Sequence, residues 1–86
     1  ISSIVKIAPF ADRKAEEHFN KAIEIFREVG AKGNLGQALL GLGALHKVKK
    51  RNEKARECFS EALNLFQECD AHVYLKQTEE ALASLG

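Results

Sequence analysis

The sequence predicts an all-α protein in which antiparallel helix-turn-helix units stack as a short α-α superhelix, ending in a C-terminal capping helix. Three observations predict this class. Shifted by forty residues, the chain matches itself: KAEEHFNKAIEIFREVGA (residues 14–31) aligns with KARECFSEALNLFQECDA (residues 54–71), identical at eight of eighteen places. Repeats of this length mark stacked supersecondary units. The recurring apolar residues, Ala15, Phe19, Ala22, Ile23 and Phe26 and their counterparts Ala55, Phe59, Ala62, Leu63 and Phe66, fall three and four apart, on one stripe of a helix. A third position, held by Ser3, Gly43 and Ala83, is always small, as a close helix crossing requires.

The elements follow in order. Residues 1–9 match the latter part of the helix at 41–49, so the chain is expected to begin inside a helix and to turn at Pro9. The first copy starts after Asp12, a short acceptor able to cap free N–H groups, and Gly30 can end it in the left-handed conformation. Residues 31–48 place Leu35, Ala38, Leu39, Leu42, Leu45 and Val48 on another stripe and form the next helix. Asn52 is expected to cap the second copy, and Asp70 to cap the last helix, residues 71–85. About five helices result, in one domain spanning 1–86: a partial first repeat (1–30), a second repeat (31–70) and the capping helix (71–86). The last helix carries Lys76, Glu79 and Glu80 where its counterpart has Gly36, Leu39 and Leu40, the polar outer face that ends an array. The absent initiator Met and the entry partway through a helix imply upstream repeats.

Four of the six glycines fall between Gly33 and Gly43 and raise the question of a phosphate loop. Gly36 and Gly41 have the G-x-x-x-x-G spacing, but Leu42 and Gly43 follow where lysine and a hydroxyl residue must stand. Gly41 and Gly43 begin a G-x-G-x-x-G that His46 breaks, and no β-branched strand precedes either. Gly41 and Gly43 are therefore packing residues, each costing about 1 kcal/mol of helix propensity that tertiary packing must offset.

Composition narrows the function. The chain is 45% hydrophobic and 29% charged, with net charge +1, so no global field draws it to nucleic acid or anionic lipid. No apolar run approaches the ~18 residues of a membrane span, and Ile-Ser-Ser does not open a signal peptide. Cys58 and Cys69 stand eleven residues apart on one helix, roughly 16 Å, too far for a disulfide, which favours a reducing, cytoplasmic setting. With His72 they make three potential zinc ligands where a structural site needs four, and His18 replaces Cys58 in the first copy. No catalytic, cofactor or metal constellation is expected. The basic cluster His46, Lys47, Lys49, Lys50 and Arg51 lies at a helix end, where cations meet the negative end of the dipole.

These residues resemble the tetratricopeptide repeat. Leu39, Leu42, Gly43 and His46, then Ala55, Phe59 and Ala62, match its W-x-x-L-G-x-x-Y…A-x-x-x-F-x-x-A pattern, with Leu for Trp and His for Tyr; Ala15, Phe19 and Ala22 supply the preceding unit. The period is 40 where the family usually has 34, and Gln67 stands at its usual Pro. The longer repeat is similar to that of helical arrays in bacterial signalling proteins, beside cyclases, kinases or NTPase-type regulators, and to that of some eukaryotic polarity adaptors.

The resemblance implies a non-catalytic scaffold for signal transduction that binds a peptide, a helix or a neighbouring domain in a concave groove lined by the first helix of each pair. Carried over by position, that groove comprises Ile4 and Ile7, then Gln37, Leu40, Gly41, Ala44 and Lys47, then Gln77 and Glu80. Only Lys47 matches the Lys and Asn with which some repeats clamp carboxylate tails, so a clamp is not expected. Two other functions compete: self-association, in which Ile1, Ile4 and Ile7 of the truncated first helix make a homodimer, and weak binding of an anion or nucleic acid by residues 46–51.

Overall fold

The computed structural model of the chain describes the backbone of residues 2–85 and the side chains of residues 13–85. Four helices follow one another: α1 (Ser2–Val29), α2 (Lys32–Val48), α3 (Asn52–Glu68) and α4 (His72–Ser84). The all-helical stack agrees with the class read from the repeat.

The count of five helices is corrected to four, because α1 continues through Pro9 with no turn there. Asp12 consequently lies inside a helix and not at the start of one. A separate helix over residues 2–8 would be far shorter than the ~12–15 residues at which isolated helices become even marginal in water. Continuation keeps the helical hydrogen bonds of this stretch, less the one that proline cannot donate.

The three connections are built alike. Gly30, Lys50 and Asp70 are left-handed, with φ of 73°, 63° and 56°. Behind each, an amide reaches back across six residues: Ala31 N–H donates to the Phe26 carbonyl (3.0 Å), Arg51 to His46 (2.8 Å) and Ala71 to Phe66 (2.9 Å). This is the Schellman arrangement, and Gly30 ends α1 as its lack of a Cβ allows. The caps expected at Asn52 and Asp70 are not formed. A single non-helical residue, Ala31, Arg51 or Ala71, separates each left-handed residue from the next helix, and none of the three makes a side-chain cap bond. Asn52 therefore falls one residue too late to cap, inside α3, and Asp70 one too early, where it takes the left-handed role that short polar residues tolerate.

The core lies around α2, which packs on α1 and, more extensively, on α3; α4 packs on α3 and touches α2 only slightly. Ile23 of α1, Leu35, Ala38, Leu39 and Leu42 of α2, and Ala62 and Phe66 of α3 form one buried cluster. Each fully buried aromatic or aliphatic side chain contributes about 1.5–3 kcal/mol. The glycines of α2 fix how closely the helices approach. A Cβ on Gly43 would lie 2.6 Å from the Phe59 ring, one on Gly36 2.6 Å from Phe66, and one on Gly41 2.5 Å from Phe19. The packing role expected of Gly41 and Gly43 holds, and Gly36 shares it. On α4, Thr78 is fully buried and donates to the Tyr74 carbonyl at 2.7 Å, while the Tyr74 ring stacks on Phe66 with centroids 5.3 Å apart.

Candidate binding surface

The side chains expected to bind a partner come from α2 and α4, which the forty-residue register makes equivalent. Gln37, Ala44 and Lys47 are exposed on α2, and Leu40 beside them is half-buried against the core. Gln77 and Glu80 are exposed on α4. Helical periodicity puts Gln37, Leu40 and Ala44 on one stripe and Gln77 and Glu80 on its counterpart. The two stripes are tied where α2 ends: Lys47 Nζ donates to Ser84 Oγ at 2.7 Å, and Ser84 in turn donates to the Ala81 carbonyl. Gly41 belongs to the α1 contact, since Phe19 covers it. Ile4 and Ile7 lie outside the residues whose side chains are described.

Three residues on this surface were not expected there, and for one of them the structure corrects the expectation: Val48 leaves the apolar stripe of α2 and faces solvent. Val48 is 75% exposed in line with Gln37 and Ala44, Val73 is 70% exposed in line with Gln77, and Ser84 takes the place of Ala44. Stepped along each helix from Gln37 and Gln77, which the family pattern supplies, the helical period also reaches these positions. The surface is mixed, with one cation (Lys47), one anion (Glu80), amides and small apolar groups.

The basic stretch 46–51 does not form one face. His46 is buried, with its Nδ1 lacking a hydrogen-bond partner among the described residues. Burial pushes the His46 pKa below the ordinary histidine value, against the pull of Glu16 and with help from Arg51, Lys54 and Lys49. Lys47 turns to α4, and Arg51 pairs with Glu16 of α1 at 3.3 Å. Two further exposed ion pairs join elements, Arg27 to Glu61 (2.6 Å) and Lys32 to Glu68 (3.2 Å), each of the kind worth about 0–1 kcal/mol.

Both cysteines are free, and burial raises the half-buried Cys58 thiol above its usual pKa, with Glu61 and Glu57 adding to the effect. A raised thiol is a poor nucleophile. Among the described residues no cluster of three or more His, Cys, Asp or Glu could hold a metal ion, and no helix is long and apolar enough to cross a membrane.

A stack of antiparallel helix pairs, with small residues set under aromatic rings and a mixed surface shared by alternate helices, defines a helical-repeat protein. Residues 12–68, well over half of the chain, match the family model of the tetratricopeptide repeat, and the chain belongs to that family. No curated protein and no solved structure matches it significantly. Repeats of this family are protein-interaction modules.

Proposed function

We propose that the chain is a non-catalytic scaffold, the C-terminal repeat portion of a larger cytoplasmic signalling or regulatory protein, and that it holds a peptide, a helix or a neighbouring domain against α2 and α4. The observation that carries this reading is the pairing of equivalent stripes, Gln37, Leu40 and Ala44 beside Gln77, Glu80 and Ser84, held in register by the Lys47–Ser84 bond. Exposed amides can hydrogen-bond a partner's backbone, and Leu40, Ala44, Val48 and Val73 offer apolar contact, which suits an amphipathic helix or extended segment. The two free thiols accord with a reducing compartment.

The test is selection from a displayed random-peptide library, followed by amide chemical-shift mapping of a selected peptide on the 86-residue chain. Shifts centred on Gln37, Ala44, Lys47 and Gln77, and loss of binding in Ala44→Arg, are expected. Shifts confined to the exposed side of α3, or peptides indifferent to Ala44→Arg, would defeat the reading. Binding of nucleic acid by residues 46–51 has less in its favour, because His46 is buried and Arg51 is paired; unchanged mobility of RNA and DNA at low salt with excess protein is the expected result.

A further inference from the structure

His46 stands where the family pattern has Tyr, so a group that gains charge near neutrality replaces one that stays uncharged there. One turn beyond Gly43, it lies on the α2 face that meets α3. It is 5% exposed, and its Nδ1 is enclosed with no hydrogen-bond partner among the described residues. Charged groups face it from three sides: Glu16 of α1, Lys49 and Arg51 of the connection between α2 and α3, and Lys54 of α3. The one carboxylate in this set is already engaged, since Arg51 holds Glu16 at 3.3 Å. Arg51 is fastened to the same residue through its backbone, its N–H donating to the His46 carbonyl at 2.8 Å. A neutral imidazole fits this site. An imidazolium would be a fourth cation, enclosed beside three others, with an Nδ1–H that finds no acceptor.

Relief requires water at the imidazole, and the surrounding elements do not resist alike. α2 packs more extensively on α3 than on α1. At this end α3 contributes Ala55 and Phe59, both at most 1% exposed. α1 contributes the half-buried Ala15 and Phe19 and the partly exposed Glu16–Arg51 pair, of a kind that holds weakly. The α1 side is therefore the one that yields. We propose that this junction is a proton-operated joint: uptake of a proton by His46 releases the α1 segment around Glu16 from the end of α2, while α2 and α3 stay paired. In the closed joint the imidazole is neutral and Glu16 is held by Arg51. In the open joint the imidazolium meets water, and the Glu16 carboxylate can accompany it. The proton comes from bulk solvent and returns there as pH rises, so the change is reversible.

Native-state hydrogen exchange of the 86-residue chain, followed by NMR at about pH 7.5 and again at about pH 5.5, tests this. The amides of residues 16–20 are expected to exchange through an opening smaller than global unfolding, and so to be less protected than those of residues 62–66. Their protection factors should fall between the two pH values by up to about tenfold, the limit reached when opening returns a histidine to its ordinary pKa of about 6.5. His46→Phe should abolish that fall. Arg51→Gln, an exposed change, should lower the protection of residues 16–20 at pH 7.5 and shrink the fall, because Glu16 is then left to the imidazolium. The proposal fails if residues 16–20 and 62–66 share one level of protection at both pH values, since His46 would then be released only by global unfolding. It fails equally if protection at residues 16–20 ignores pH, or if the fall persists undiminished in His46→Phe or in Arg51→Gln.

Discussion

Helices α1 and α3 share a sequence pattern but differ in how much of it is buried. In α3, Ala55, Phe59, Ala62 and Phe66 are at most 1% exposed, because α2 lies across them with glycine at the crossing points. In α1, the equivalent Ala15, Phe19, Ala22 and Phe26 remain half-buried, and Ile25 is exposed where Leu65 is partly covered. The repeat thus encodes an interface, and burial depends on whether a helix with small residues at the matching places is present. Periodicity alone could not have told these two helices apart.

The largest expected effect comes from removing equivalent rings. Phe59→Ala leaves a cavity in a fully enclosed site and is expected to cost about 3–5 kcal/mol, enough to unfold so small a domain. Phe19→Ala loses a ring that is still partly in water and should cost about half as much. Urea denaturation followed by circular dichroism measures both. Equal losses would mean that the α1 face is covered in solution, and the contrast would be void.

Adding a methyl group sharpens the same comparison. Gly43→Ala and Gly41→Ala would each set a Cβ within 2.5–2.6 Å of a phenylalanine ring. The Phe59 ring has nowhere to go, so Gly43→Ala should cost about 1 kcal/mol net, overpacking exceeding the gain in helix propensity. The Phe19 ring can shift into the open groove that it lines with Ala22 and Phe26, and there the propensity gain of up to about 1 kcal/mol should leave Gly41→Ala neutral or slightly stabilised. Thermal melts of the two variants decide this, and a Gly41→Ala protein less stable than Gly43→Ala would contradict it.

What the sequence made legible was whatever the forty-residue shift could see: the class, the stripes, and Gly41 and Gly43 as close-contact residues. Gly36 escaped because its aligned partner is Lys76, so no small residue recurs there; its constraint comes from Phe66 on another helix. The caps at Asn52 and Asp70 were misplaced by one residue, since a Schellman turn and a side-chain cap draw on the same short polar residues and differ only in backbone φ. Pro9 was read as a turn from its chemistry, whereas continuity of α1 is decided by how little a seven-residue helix could hold on its own. On the binding surface, Gln37, Ala44 and Gln77 were found from family position, while Val48 was absorbed into an apolar stripe that treats exposed and buried valines alike, and Val73 lies at no position of the family pattern.

The smallest expected effect is electrostatic and involves both helices, because His46 of α2 feels Glu16 of α1 on one side and Arg51 and Lys54 on the other. Burial lowers its pKa in the folded chain, so the unfolded chain binds the proton more readily. Stability should therefore be constant above the ordinary histidine pKa of about 6.5, decline as pH falls from there toward the depressed folded value, and level off below it. Urea denaturation at about pH 7.5 and again at about pH 5.5 should show this decline, and His46→Phe should lose that part of it. Glu16→Gln removes the carboxylate that favours the imidazolium and should steepen the decline, provided α1 holds Glu16 at this end of α2. A decline that is unchanged by Glu16→Gln would mean that α1 is not seated there, and that its contact with α2 is confined to the Phe19 and Ile23 end.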